Sequence, residues 1–208
     1  MGVSWIFAVD QQQRQVEAAL ERAGAEHRGT FKVDCTAYRP APTVQSQLGH
    51  VYLLHHSNYP DSTANFVEIL SNPSRRPPSP HPFARSVSDQ GFDHIIQKFS
   101  TAFKSDTNFE VNGTEFHLKD FRVRVGTVLM NNSNTKGEFP SFPPFILLLS
   151  AGLLRIMMNE MIYQFFPAEV KRPPSVLLRH RKAVEGYVLA DTLEQYLLVF
   201  NEMRKRKS

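Results

Sequence analysis

The residues with types and spacing that could do chemistry are few. His55-His56 is the nearest approach to a metal motif. Adjacent residues on a strand point to opposite faces, so the two imidazoles cannot readily share one ion, and no cysteine or carboxylate cluster accompanies them. Cys35 could act as a nucleophile, but it alternates with apolar neighbours and reads as a small core residue. Glu110 and Glu115 are the one dense acidic pair that could serve a metal-dependent phosphohydrolase. A triphosphatase barrel needs two Glu-x-Glu strands converging on metal, and that motif does not occur once in the chain. Arg122 and Arg124 could bind an anion, though two arginines at this spacing read better as a solvated stripe. G-x-S-x-G, G-x-x-x-x-G-K-[ST], G-x-G-x-x-G and H-E-x-x-H are all missing. Basic and aromatic residues do not interleave as a single-strand nucleic-acid platform requires. The expectation is therefore no catalytic residue, no cofactor and no metal.

The elements that would carry these residues are clearest around NFEVNGTEFHLKDFRVRVGTVLM, Asn108 to Met130. Asn112-Gly113 between two alternating runs predicts a tight hairpin, with Phe109 facing Phe116 and Glu110 facing Glu115 on the solvent side. The apolar set then changes from Phe116 and Leu118 to Phe121, Val123 and Val125. A period of two forbids that change in one regular strand, so a bulge or corner is predicted near Lys119-Asp120. Bulges curve sheets, and Arg122 and Arg124 fall on the outer face.

Elsewhere, Val3–Val9 reads as a strand, followed by a helix over Gln11–Ala23 capped by Asp10 and closed by Gly24. GTFKVDCTAY, Val51–His56, Phe66–Leu70 and Phe83–Val87 read as further strands. SNPSRRPPSPHP (71–82) is a proline-rich surface loop. Phe92, Ile95, Ile96, Phe99 and Phe103 predict a core-facing helix over Gln90–Lys104. Phe145–Phe166 is apolar enough to raise a membrane span, but Arg155, Asn159 and Glu160 fall inside it. A buried strand over Phe145–Leu149, then Ser150 as the cap of a helix to Phe166, fits better. The last helix, 191–205, opens on Asp191-x-x-Glu194 as a capping box and buries Leu193, Tyr196, Leu197, Phe200 and Met203. Arg204–Lys207 suits the negative end of its dipole, or a short nuclear-import signal.

With 208 residues, 41% of them apolar, the chain reads as one globular domain, 1–208. The single cysteine excludes a disulfide framework, and the net charge of +4 does not announce nucleic acid. The N-terminus lacks a secretory pattern, and Ile6 breaks the myristoylation pattern. The sequons at Asn112 and Asn131 read as turns. The fold class expected is α+β: a curved, mostly antiparallel β-barrel with about four helices.

Met1-Gly-Val, GAExxGTFxVDCxxY at Gly24–Tyr38, HxSxYP at His55–Pro60, SDTNFE followed by DFRVRVGTVLM, and ADTxxQYxxxFNxxRK at Ala190–Lys205 together resemble the Mediator subunit 20 family in order and spacing. The resemblance implies a nuclear, non-enzymatic subunit of the Mediator head module with a triphosphatase-like barrel. It implies pairing with Mediator subunit 18, tethering by subunit 8, and contacts with the TATA-box-binding protein and RNA polymerase II. No small-molecule substrate, sequence-specific nucleic acid or membrane is expected. The GTFxVDCxxY and DFRVRVGTVLM strands are candidate partner surfaces, although both read as core. Two other readings stand beside this one: an RNA-triphosphatase-like phosphohydrolase, and a membrane-associated protein through 145–166.

Overall fold

The computed structural model describes residues 3–9, 11–42, 49–70, 82–132, 145–150, 155–179 and 187–207. The proline-rich loop falls at 71–81 outside them, as does Asp10, the expected helix cap. The chain runs β1 (Ser4–Ala8), α1 (Gln13–Arg22), β2 (Glu26–Pro40), β3 (Val51–His56), β4 (Ser62–Glu68), β5 (Phe83–Asp89), α2 (Phe92–Lys98), β6 (Phe103–Leu118), β7 (Phe121–Asn132), β8 (Phe145–Ser150), α3 (Arg155–Phe165), a 3-10 turn at Glu169–Lys171, α4 (Ser175–Arg179) and α5 (Leu189–Lys207). The fold is α+β with an antiparallel, curled sheet, as the sequence led us to expect. Contacts divide it into two compact units: Met1–Phe31, Val111–Val128 and Ser141–Ser208 in the first, Lys32–Glu110 and Leu129–Pro140 in the second. Strands β2, β6 and β7 each give part of their length to either unit.

In the first unit the strand order is β1-β8-β7-β6-β2. β1 pairs antiparallel with β8, Ser4 opposite Leu149, and β8 with β7, Phe121 opposite Ser150. One core gathers Trp5 and Phe7 of β1, Val16 and Leu20 of α1, Phe116, Leu118, Phe121, Val123 and Val125 of the hairpin strands, and Met158 and Ile162 of α3. Helix α1 starts two residues later than expected. Gln15 Oε1 accepts the Gln12 N–H at 3.2 Å, the returning half of a capping box. Its end is closed by Gly24 as expected. Gly24 takes φ +87°, its N–H donates to the Glu21 carbonyl, and the Ala25 N–H donates to the Leu20 carbonyl, both within 3.0 Å.

The Asn112-Gly113 hairpin is not formed. β6 runs unbroken through both residues, and Gly113 is not among the glycines with positive φ. A Cβ on Gly113 would lie 2.2 Å from the Val125 carbonyl oxygen and 2.6 Å from Gly126 Cα. The glycine is there so that two strands can approach closely. The turn sits instead at Lys119-Asp120, where Lys119 adopts φ 54°. A two-residue link sets Leu118 opposite Phe121, which explains the even-to-odd change of apolar residues without a bulge at that point. A real switch of buried parity occurs on β6 between Val111 and Phe116, and on β7 between Val125 and Val128. Both flank the Gly113–Gly126 approach. Asn112 therefore lies within a strand, not in a turn.

In the second unit the order continues β6-β2-β3-β4-β5, with Cys35 opposite Leu54 and Ala64 opposite Val87. The long helix expected over Gln90–Lys104 is shorter: α2 ends at Lys98, Phe99 accepts backbone bonds from Ala102 and Phe103, and β6 begins at Phe103. Only Ile96 of the expected stripe is buried, against Tyr38, Val51 and Leu53, while Ile95 and Phe99 are 49% and 54% exposed. Phe92 and Phe103 pack, partly buried, against the same cluster, so three of the five expected residues face the core, Phe103 from a strand instead of the helix.

β8 and α3 keep the strand-then-helix order read for Phe145–Phe166, but Ser150, the expected helix cap, is the last residue of β8 and α3 begins at Arg155. Among the described residues no helix is long and apolar enough to cross a membrane. Helix α5 begins before Asp191, whose Oδ2 accepts the Val188 N–H at 2.7 Å from the third helical position. Every residue from Asp191 to Leu197 is buried, so more of the helix is enclosed than the apolar stripe required.

Candidate functional site

The polar residues of α5 face protein, and each needs a partner because an unpaired buried polar group costs about 1–3 kcal/mol. The carboxamide of Gln195 supplies two such partnerships to the backbone of β1. Its Nε2 donates to the Ser4 carbonyl at 3.0 Å, and its Oε1 accepts the Ile6 N–H at 2.9 Å. One residue of a parallel neighbouring strand would make the same two bonds. The second Nε2 proton goes to the Tyr187 hydroxyl at 2.8 Å. Tyr187 also bonds Ser4 Oγ, which in turn bonds Thr192 Oγ1 at 2.7 Å. Burial pushes the Tyr187 phenol up to about 12, with its hydrogen bond to Ser4 pulling the other way.

A buried charge pair lies deeper in the same unit. Arg124, its side chain 2% exposed, donates from Nε to Glu115 Oε2 at 2.6 Å. Its guanidinium carbon stands 5.5 Å from the centre of the Phe31 ring. Glu115 also faces Arg122 Nε at 3.4 Å and His117 Nε2 at 3.7 Å. Burial holds the Tyr196 hydroxyl protonated well above its ordinary range, with the Arg124 charge opposing. Arg124 was expected on a solvated face, and Glu115 opposite Glu110. Arg124 is enclosed because β7 is buried on both sides from Val123 to Gly126. Arg122, 44% exposed, keeps the expected position. Glu110 pairs with Lys32 at 3.4 Å, and Lys32 also meets Asp34 at 3.1 Å.

The remaining sequence candidates are held apart. His55 Nε2 meets Asp93 Oδ2 at 2.6 Å, with Thr63 Oγ1 3.3 Å from its Nδ1. His56 is buried, and its Nδ1 accepts the Asn58 N–H at 3.1 Å. The two imidazoles therefore use separate partners. Cys35 is buried within β2, 1% exposed. Among the described residues no group of three His, Cys, Asp or Glu stands close enough to hold a metal. Carboxylates engaged by arginine and lysine are arranged to hold structure.

Sequence reasoning missed Ser4, Tyr187, Thr192 and Gln195. Thr192 and Gln195 lie three apart beside the apolar stripe, a pattern that reads as a solvated face unless another element covers it. The motifs with the strongest family flavour turn out to be occupied physically. In VGTV, Gly126 lets the Asn112 carbonyl come within 3.0 Å of where a Cβ would be, and Thr127 Oγ1 donates to Gln13 Oε1 at 2.6 Å. In the ADT…QY…FN helix, Asp191, Thr192, Gln195, Tyr196 and Phe200 are all buried.

Comparison with known proteins agrees with these motifs. A family model described as the TATA-binding related factor (TRF) of subunit 20 of Mediator complex matches residues 1–201. Mediator of RNA polymerase II transcription subunit 20 from Caenorhabditis briggsae is 33% identical over 211 residues, covering 99% of this chain and 100% of that protein. The Homo sapiens protein of the same name is 30% identical over 207 residues, covering 96% and 89% respectively. Among solved structures, a chain of the Schizosaccharomyces pombe Mediator head module aligns over 81% of this chain and 92% of its own, at 15% identity and a TM-score of 0.39. That last likeness is too loose to argue from. The near-complete sequence match settles the matter: the chain belongs to the Mediator subunit 20 family.

Proposed function

We propose that the chain is a non-catalytic subunit of the Mediator coactivator complex, working in the nucleus within the head module. There it binds Mediator subunit 18, is tethered through subunit 8, and helps couple regulators and the TATA-box-binding protein to RNA polymerase II. The observation that carries the reading is full-length similarity to proteins named as Mediator subunit 20, from nematode to human. The chemistry of the interior supports a structural role. Glu115, the acid an enzymatic reading would need, is bound by Arg124. The basic end of α5 leaves the import-signal reading available.

Co-expression with a subunit 18 homologue tests this directly. A one-to-one complex with raised solubility is expected, and a pull-down from nuclear extract should recover transcription-machinery subunits by mass spectrometry. A soluble monomer indifferent to subunit 18, with no such subunits recovered, would sink it.

A further inference from the structure

Among the described residues β1 is an end strand of the sheet with one strand neighbour, β8. Because the Ser4 carbonyl and the Ile6 N–H both point at Gln195, residues 4, 6 and 8 present their backbone groups away from β8. Gln195 satisfies the first pair of these groups. The next pair in the same pattern, the Ile6 carbonyl and the Ala8 N–H, has no hydrogen-bond partner among the described residues. A groove of about 600 Å³ opens there, with Ile6, Phe7 and Ala8 on its floor. Leu198, Val199 and Met203 of α5 form one wall, and Pro173-Pro174 the other. Glu169, Glu202 and Arg172 also line it, and none of the three has an ion pair among the described residues.

We propose that this groove takes an extended segment of a partner protein, added as a strand parallel to β1 where the Gln195 carboxamide leaves off. One residue of the segment donates to the Ile6 carbonyl and accepts the Ala8 N–H. Its neighbours alternate, an apolar side chain against Leu198 and Val199, and a lysine or arginine toward Glu202. The floor selects this occupant. A helix satisfies its own backbone groups and would leave the strand edge unpaired, whereas an extended chain brings the missing donor and acceptor. Two carboxylates against one guanidinium favour a basic segment and disfavour a phosphate backbone. The inference concerns a surface of this chain alone and stands whether or not the head-module assembly above is correct.

The test is selection of displayed random twelve-residue peptides on the full-length protein, followed by affinity measurement of the winners. Peptides alternating apolar and basic residues are expected. Ala8→Pro removes the backbone donor that β1 offers the segment, and it should weaken them roughly ten-fold, as should Glu202→Lys. Backbone N-methylation of the peptide gives a readout that needs no protein variant. It should abolish binding at the one position that donates to the Ile6 carbonyl and be tolerated at the two positions beside it. No enriched peptide, helical winners, or affinities indifferent to both substitutions and to the N-methylation pattern would overturn the proposal.

Discussion

Arg124 donates to Glu115 across 2.6 Å with its side chain 2% exposed, so a strand expected to face water carries a buried charge pair. Removing one partner of such a pair leaves an uncompensated charge indoors, which costs about 3–5 kcal/mol. Glu115→Ala should therefore lower the unfolding free energy read from urea denaturation by that amount. The double variant Glu115→Leu with Arg124→Met should recover much of it. Equal losses for single and double variants would show the pair to be solvated.

Gly113 distinguishes a turn from a close approach. Gly113→Ala forces a Cβ to within 2.2 Å of the Val125 carbonyl oxygen, and should destabilise by about 3 kcal/mol or more. Gly91→Ala, with nothing within 4 Å of its new Cβ, should stay within about 1 kcal/mol. Chemical denaturation of the two variants side by side checks the contrast.

Gln195→Leu keeps the volume and removes the amide that meets β1. The Ser4 carbonyl and Ile6 N–H then lose their partner, at a cost of about 1–3 kcal/mol. The Ile6 amide should exchange with solvent markedly faster, read by hydrogen exchange. Unchanged protection at Ile6 would mean that α5 does not hold the strand.

Alkaline pH should weaken the first unit. Burial raises the phenol of Tyr187 from 10.0 to about 12, and that of Tyr196 in the same direction. Above pH 10 the unfolded chain loses these protons while the folded one keeps them, so stability is intact below pH 10 and falls as pH rises toward 12. The slope is about 1.4 kcal/mol per pH unit for each tyrosine. Tyr187→Phe should flatten the decline measured by denaturation between pH 9 and 11.

Sequence alone fixed a good deal, wherever the cause is local. The Gly24 closure of α1 follows from one residue's freedom at positive φ. The boundaries of β3, the strand-then-helix parse of Phe145–Phe166 and the stripe Leu193, Tyr196, Leu197, Phe200 and Met203 follow from periodicity and length. Family membership was legible too: the resemblance drawn from collinear motifs agrees with relatives 30–33% identical over nearly the whole chain.

Tertiary structure decided what each glycine and each polar residue is for. Asn-Gly reads as a turn until the partner strand is placed against it, when Gly113 proves to be the residue with no side chain to clash. Ile95 and Phe99 read as core, yet α2 ends at Lys98 and both are about half exposed, while Ile96 beside them is buried. Arg124 and Glu115 read as solvated because alternation tells one face of a strand from the other. It cannot say whether a distant element will cover the second face. Burial is a property of the assembled layers, and here the polar residues that hold those layers together carry the same letters as residues meant for water.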